Sequence, residues 1–109
     1  MNERLLKRWA ITEKLLSEAA LQVKDSAGFV ECMDYIGYNE FGLALDTLAA
    51  DAAHQNVDTH FWHLLKKAAE VMGRSEQVKE FRAKRYLARK SAAQQAVQSD
   101  GPASGGSAR

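Results

Sequence analysis

Apolar residues recur every three or four positions through most of the first 90 residues, which is the spacing of one face of an α-helix. The first run starts after Asn2, a residue type that caps helix N-termini, and continues to about Val23. We expect Trp9 to anchor the core, because a large indole on an apolar stripe is normally buried. The stripe consists of Leu5, Trp9, Thr12, Leu16, Ala19 and Val23.

A shorter second helix is predicted from a cap at Asp25 or Ser26 to about Ile36. Cys32 lies on this helix among acidic residues, with no basic neighbour to lower the pKa of its thiol. We therefore expect Cys32 to be a small packing residue and not a nucleophile. The predicted apolar face consists of Phe29, Met33 and Ile36, with Val30 beside them.

A sharp corner is predicted after Tyr38. Asn39 is expected to cap a third helix over about 40–54, since its side-chain oxygen can accept from the free N–H groups of the first turn. Gly37 and Gly42 flank the corner, where glycine permits close helix approach or a positive φ. The stripe of the third helix consists of Phe41, Leu45 and Leu48.

A fourth helix over about 59–72 is predicted between Asp58 as its N-cap and Gly73 as its C-terminal residue. Trp62 lies about 100° around the helix from Phe61, so it either widens the buried stripe or lies at the surface. The predicted buried residues are Phe61, Leu64, Leu65, Ala68 and Met72.

A fifth helix is predicted from a cap at Ser75 into the early nineties. Its few apolar residues should dock through Val78 and Phe81, while its later half projects as a basic helix. Residues 91–109 are rich in Ala, Gln, Ser and Gly and are predicted to be a disordered tail. The pattern as a whole predicts an all-α single domain over residues 1–90, with about five helices in a compact antiparallel bundle and an extended basic C-terminal helix.

Charge is segregated along the chain, although the net charge is only +1. Residues 25–58, which we call the acidic segment, contain seven Asp and Glu and no Lys or Arg. Residues 59–109 contain ten Lys and Arg and four Asp and Glu. The single cysteine excludes an internal disulfide, which favours a reducing cytoplasm. We also expect neither a signal peptide nor a membrane span, since no apolar run is long enough for one.

Candidate chemistry is sparse. His60 and His63 are spaced to face one ion, with His54 or Asp51 as a third ligand, but no cysteine pair or His-Glu-x-x-His pattern supports a metal site. The acidic segment has many carboxylates, yet alanine-rich helices indicate no cleft in which two of them would differ in environment. We therefore predict no metal, no cofactor and no enzyme activity.

The carboxylates of the acidic segment coincide with Tyr35, Tyr38 and Phe41, and Trp62 follows shortly after it. Tyrosine and tryptophan dominate binding hot spots, and adjacent carboxylates attract a basic partner. The sequence therefore predicts a surface that binds a basic protein. The predicted partner-binding residues are Asp34, Tyr35, Tyr38, Glu40, Asp46, Asp51, Asp58 and Trp62.

The stretch from Tyr35 to Leu48, Tyr-Ile-x-x-Asn-Glu-Phe-Gly-Leu-Ala-Leu-Asp-x-Leu, resembles the central motif of small helical immunity proteins. These belong to the Maf-type and contact-dependent growth inhibition systems of bacteria, and Val71-Met72-Gly73 matches a later position of the same pattern. The resemblance covers about residues 26–73. It implies a cytoplasmic protein that neutralises a cognate secreted toxin domain by stoichiometric binding, and together with the acidic segment it predicts that this toxin is a nuclease.

Two other functions remain open at this stage. The basic helix over 76–90 interleaves aromatic and basic residues, and a nucleic-acid-associated accessory protein would act through Arg82, Arg85 and Arg89. We rank nucleic acid below a protein partner, because the acidic segment would repel a strand that wrapped the domain. In a homo-oligomer, the acidic segment of one copy would meet the basic helix of another, and association would then depend on salt.

Overall fold

The computed structural model describes the backbone of residues 3–100 and the side chains of residues 3–94. The secondary structure of this range is entirely helical, which confirms the predicted all-α single domain. Short 3₁₀ turns, Leu21–Val23 and Ala52–His54, extend the first and third helices. The predicted cap Asn2 lies outside the described residues. The helices are α1 (Glu3–Ala20), α2 (Ala27–Gly37), α3 (Phe41–Asp51), α4 (Thr59–Met72) and α5 (Ser75–Asp100).

The core lies between α1, α3 and α4, with α2 packed on α3 and α5 packed along α4. Trp9 is half-buried at its edge and meets Phe41 edge-to-face, with 6.5 Å between ring centroids. Each fully buried leucine or phenylalanine contributes about 1.5–3 kcal/mol to folding, so this cluster dominates the stability of the domain. The largest fully buried side chains are Phe61, Phe81, Leu16, Leu45, Leu48 and Leu65.

The apolar face of α2 differs from the prediction. Cys32 and Ile36 are buried, whereas Met33 is 37% exposed and Val30 is 67% exposed. The helix packs mainly against α3, and that contact selects the side carrying Cys32. As predicted, Cys32 is a packing residue, and burial raises the pKa of its thiol to about 12.

The corner after α2 is built differently from the predicted N-cap. Asn39 has a φ of 59°, which places it in the left-handed region instead of the extended region of an N-cap. The N–H groups of Asn39 and Glu40 donate to the carbonyls of Ile36 and Tyr35 at 3.0 and 2.8 Å. This is the Schellman ending of a helix, with asparagine where glycine is commonest. Glu40 is the N-cap residue of α3.

The boundaries of α4 agree with the prediction. The Asp58 carboxylate accepts a hydrogen bond from the Phe61 N–H at 3.0 Å, and Gly73 has a left-handed φ of 75°. Ser75 is a residue of the first turn of α5 and not its cap, since the Val78 N–H donates to the Arg74 carbonyl at 3.0 Å. The structure also continues α5 to Asp100, ten residues into the segment predicted to be disordered. Residues 101–109 of that segment lie outside the described residues.

In the part of the chain that the structure describes, no helix combines the length and the apolar character that crossing a membrane requires.

Candidate functional site

A shallow groove of about 490 Å³ lies between α2 and α3. It runs along the outward side of α3, because Phe41, Ala44 and Leu48 turn the opposite side of this helix into the core. Gly28 and Glu31 of α2 form the facing wall. The groove is therefore made entirely from the acidic segment of the chain.

The groove is lined by apolar, polar and acidic side chains. Leu43, which is 46% exposed, and Ala50 are apolar, whereas Thr47 and His54 are polar. By helical geometry Asp46 and Asp51 lie on opposite sides of this row of α3, and Glu31 comes from α2. When an apolar side chain of a partner covers an apolar patch, water is released from both surfaces. Carboxylates around the patch can then pair with basic groups of the partner.

Asp51 is held in place from α2. The Ser26 hydroxyl donates to the Asp51 carboxylate at 2.6 Å, while the same oxygen accepts the N-cap hydrogen bond from the Phe29 N–H at 3.2 Å. A Cβ at Gly28 would lie 2.5 Å from the Asp51 carboxyl carbon. Glycine at position 28 therefore permits α2 and α3 to approach closely enough for this contact.

Asp46 is connected to the start of α5. Its carboxylate accepts from the Arg74 guanidinium at 3.3 Å and from the Gln77 amide at 2.8 Å. Gly42 provides room for this arginine, since a Cβ there would meet the Arg74 guanidinium carbon at 3.1 Å. A glycine of the predicted corner thus accommodates Arg74, the basic residue that pairs with Asp46.

A row of residues on one side of α2 runs from the groove towards the end of this helix. Ala27 and Glu31 line the groove, and Asp34 and Tyr38 follow at the same helical spacing on the same side of α2. Tyr38 is 78% exposed, whereas Tyr35 is half-buried against the core. Tyr38 is therefore the aromatic residue that this side of the molecule offers to a partner.

Two of the predicted site residues lie elsewhere. Asp58 caps α4 and exchanges two hydrogen bonds with Gln22, from the Gln22 amide to its carboxylate at 2.7 Å and from its own N–H at 3.2 Å. Partial desolvation raises the pKa of Asp58, but the hydrogen bonds from Gln22 and Phe61 and the charge of His60 outweigh it, and the net pKa is lowered.

Trp62 is the other predicted site residue that lies elsewhere. Of the two positions predicted for it, buried or at the surface, the structure has the buried one. Its side chain widens the buried stripe of α4 and is 9% exposed. The indole meets Phe61 edge-to-face at 5.2 Å and Phe81 of α5 at 6.0 Å, measured between centroids. The Lys84 ammonium lies 5.9 Å from the centre of the ring. Little of the indole is left for a partner.

The two histidines that suggested a metal site have other contacts. His60 Nε2 lies 3.0 Å from a Glu18 carboxylate oxygen, and the rings of His60 and His63 stack with 6.3 Å between centroids. Desolvation, with the charges of Arg85, Lys66 and Lys67, lowers the pKa of His63. Among the described residues, no three His, Cys, Asp or Glu side chains form a group that could hold a metal ion.

The structure brings together part of the predicted site. Asp46 and Asp51 line the groove, whereas Asp34 and Glu40, the N-cap residue of α3, are exposed but are not among its lining residues. Sequence reasoning missed Glu31 and the exposed Leu43 as site residues. The spacing of Glu31 from Asp34 could have identified the first. We call the following set the acidic face: Glu31, Asp34, Tyr38, Glu40, Leu43, Asp46 and Asp51.

Comparison with known proteins adds no assignment: no family model, curated protein or solved structure matches this chain.

Proposed function

We propose that this chain is an immunity protein, which binds a basic secreted toxin domain through its acidic face and neutralises it in the cytoplasm of the producing cell. The toxin is proposed to be a nuclease, inhibited at equal stoichiometry. The observation that supports this proposal is the α2–α3 groove, in which the exposed Leu43 lies between carboxylates from both helices.

The chemistry of the acidic face suits a tight protein contact. Tyr38 presents a large ring with two rotatable side-chain torsions, so its immobilisation costs little conformational entropy. Leu43 offers apolar area in the groove, and the surrounding carboxylates select a basic partner and accelerate the encounter. Anchors of this type ringed by charge are typical of binding surfaces.

A nuclease fits as the partner because an enzyme that grips phosphates carries a positively charged surface. A set of carboxylates on a rigid helical support can compete with the nucleic acid for that surface. Glu31 and Asp34 are one helical turn apart on α2, so they can meet two basic groups of the toxin together.

The resemblance of the stretch from Tyr35 to Leu48 to immunity proteins is a second, independent support. Within this stretch Phe41, Leu45 and Leu48 are buried, which agrees with the structural role predicted for them. The residues of the stretch left for recognition are then the exposed ones, of which four are on the acidic face: Tyr38, Glu40, Leu43 and Asp46.

Charge reversal of Glu31 and Asp34 tests the proposal. Both side chains are exposed, and neither belongs to the network that Asp46 forms with Arg74 and Gln77. The partner to use is the secreted toxin domain that the immobilised chain captures from lysate of its native host, with binding measured by titration calorimetry and by rescue of growth on co-expression. We expect E31K/D34K to weaken binding at least about tenfold and to abolish rescue, since two attractive pairs become repulsive.

The matched control is E3K/E13K, which makes the same change in net charge at exposed positions of α1. We expect this variant to bind within about twofold of the parent chain and to rescue growth. Equal losses in the two double variants would show that only net charge matters. Rescue by E31K/D34K would place the toxin on another surface, and no binding by the parent chain would exclude this toxin as the partner.

A further inference from the structure

Helix α5 carries a basic surface that the acidic face does not use. Its inward side is formed by Val78, Phe81, Arg85 and Ala88, which are buried or half-buried against the rest of the domain. The burial of Phe81 agrees with its predicted docking role, whereas Arg85, which was predicted to bind nucleic acid, is half-buried on this inward side and is not part of an exposed binding surface.

The outward side has a tyrosine surrounded by cations. At 100° per residue, Lys79, Arg82, Tyr86, Arg89 and Lys90 fall within an arc of about 100°, with Tyr86 near its centre. Tyr86 is 63% exposed, and the four basic side chains are exposed as well. We call these five residues the basic stripe.

Acidic residues do not fill this arc. Glu76 and Glu80 lie farther round α5, beyond Lys79. The Glu76 carboxylate is 3.9 Å from the Lys79 ammonium, but both side chains are more than 70% exposed, so that the pair is weak. The cations of the stripe therefore remain available to an anionic partner.

We propose that the basic stripe binds single-stranded nucleic acid, with a base stacked on Tyr86 and phosphates paired with the four surrounding cations. Every base has a π-face that can stack on an exposed aromatic ring, whereas the bases of a duplex are already stacked. The stripe extends for about 17 Å along the helix axis, which is room for a few nucleotides. RNA and DNA share this chemistry.

The acidic segment does not prevent this binding. It meets α5 at Gln77, where the amide donates to Asp46. Arg89 and Lys90 are then about 18–20 Å farther along the helix, which is more than twice the Debye length of about 8 Å at physiological ionic strength. Lys79 and Arg82 are only about 3 and 8 Å from Gln77 along the axis, so screening protects the part of a strand that binds near Arg89 and Lys90.

A second copy of the chain fits the stripe less well. Asp46 and Asp51 of its acidic face already accept hydrogen bonds within their own chain, so that Glu31, Asp34 and Glu40 would have to supply the contact. Phosphates have no such prior partners. Self-association is kept as an outcome of the test.

The experiment measures fluorescence anisotropy of 5′-labelled 12-nucleotide oligouridine and oligothymidine with the full chain across a salt series. Four phosphate contacts predict a slope of log affinity against log salt of about −3. We expect R82E/R89E to weaken binding at least about tenfold and to reduce the slope by about half. Y86A should weaken binding about tenfold at unchanged slope, while Y86F retains it.

The matched control is K7E/K14E, which makes the same change in net charge at exposed positions of α1 and should bind within about twofold of the parent chain. Circular dichroism checks the helicity of each variant. Several outcomes would overturn the proposal: no binding at about 100 µM protein in low salt, equal losses in the two double variants, or unchanged binding by Y86A. Salt-sensitive self-association without oligonucleotide binding would assign the stripe to a second copy instead.

Discussion

Asn39 is the single non-glycine residue with positive φ in the described part of the chain, and it makes the turn between α2 and α3. This conformation costs a residue with a Cβ about 1–2 kcal/mol. Asparagine tolerates it better than alanine does, and glycine adopts it freely. We expect N39A to be about 1 kcal/mol less stable than N39G in urea unfolding, after allowing for the greater freedom of glycine in the unfolded chain. Equal stability of the two variants would contradict the left-handed assignment.

Asp58 gives the stability of the domain a dependence on acid pH. Its pKa is lowered in the folded chain from an ordinary value of 3.8, so the unfolded chain takes up the proton first as the pH falls. The stabilisation is complete above the unfolded pKa and is lost as the pH falls through the folded pKa.

The variant D58N keeps an acceptor oxygen for the Phe61 N–H but cannot titrate. We expect the difference in unfolding free energy between the parent chain and D58N to be constant above about pH 5 and to shrink below about pH 4. Chemical denaturation at a series of pH values measures it, and a difference independent of pH down to the acid limit would disprove the role of the carboxylate.

These two residues show what local sequence can and cannot predict. The role of Asp58 as N-cap of α4 was predicted correctly, because a capping residue followed by an uninterrupted apolar stripe is compatible with only one local structure. The role of Asn39 as N-cap of α3 was predicted wrongly. Asparagine suits both an N-cap and a left-handed helix ending, and the choice between them depends on how the chain continues. The role of Glu31 depends on which side of α2 meets α3, which is a tertiary property.

At the level of the elements, α5 is attached to the domain by its first half. Phe81 is fully buried and its ring lies 6.0 Å from that of Trp62, whereas Tyr86 is 63% exposed. We expect F81A to cost about 3–5 kcal/mol, because it leaves a cavity between α4 and α5, and to shift the emission of Trp62 to longer wavelength.

Y86A is the control from the same helix, and it should change the unfolding free energy by no more than about 0.5 kcal/mol. Thermal and urea unfolding followed by circular dichroism compare the two variants. A small effect of F81A would mean that α5 does not depend on this contact for its attachment.

The elements also differ in how well the sequence predicted them. The bounds of α4 are marked by Asp58 and Gly73, and the stripe between them has the helical period throughout. The end of α5 has no such signal, since apolar periodicity disappears after Leu87 although alanine and glutamine still favour helix. The burial of Trp62 could not be predicted from α4 alone, because it is α5 that covers it.

Across the whole molecule, the two charged surfaces lie on separate helices, with the acidic face on α2 and α3 and the basic stripe on α5. Sites more than about 10 Å apart that share no residues generally act additively. We expect R82E/R89E to leave toxin affinity within about twofold of the parent chain, and E31K/D34K to leave oligonucleotide affinity within the same range. The same calorimetric and anisotropy titrations measure both. Strong coupling between the two pairs would reveal that the two surfaces overlap or compete.

The burial of Cys32 has a practical consequence. A thiol without solvent exposure and with a pKa of about 12 cannot react with a disulfide reagent while α2 stays packed on α3. The rate of Cys32 labelling at alkaline pH therefore reports how often α2 and α3 separate. Because the acidic face is built on the same two helices, a ligand that rests on this face should slow the labelling. Cys32 thus reports whether the acidic face is occupied, without an engineered cysteine or tag.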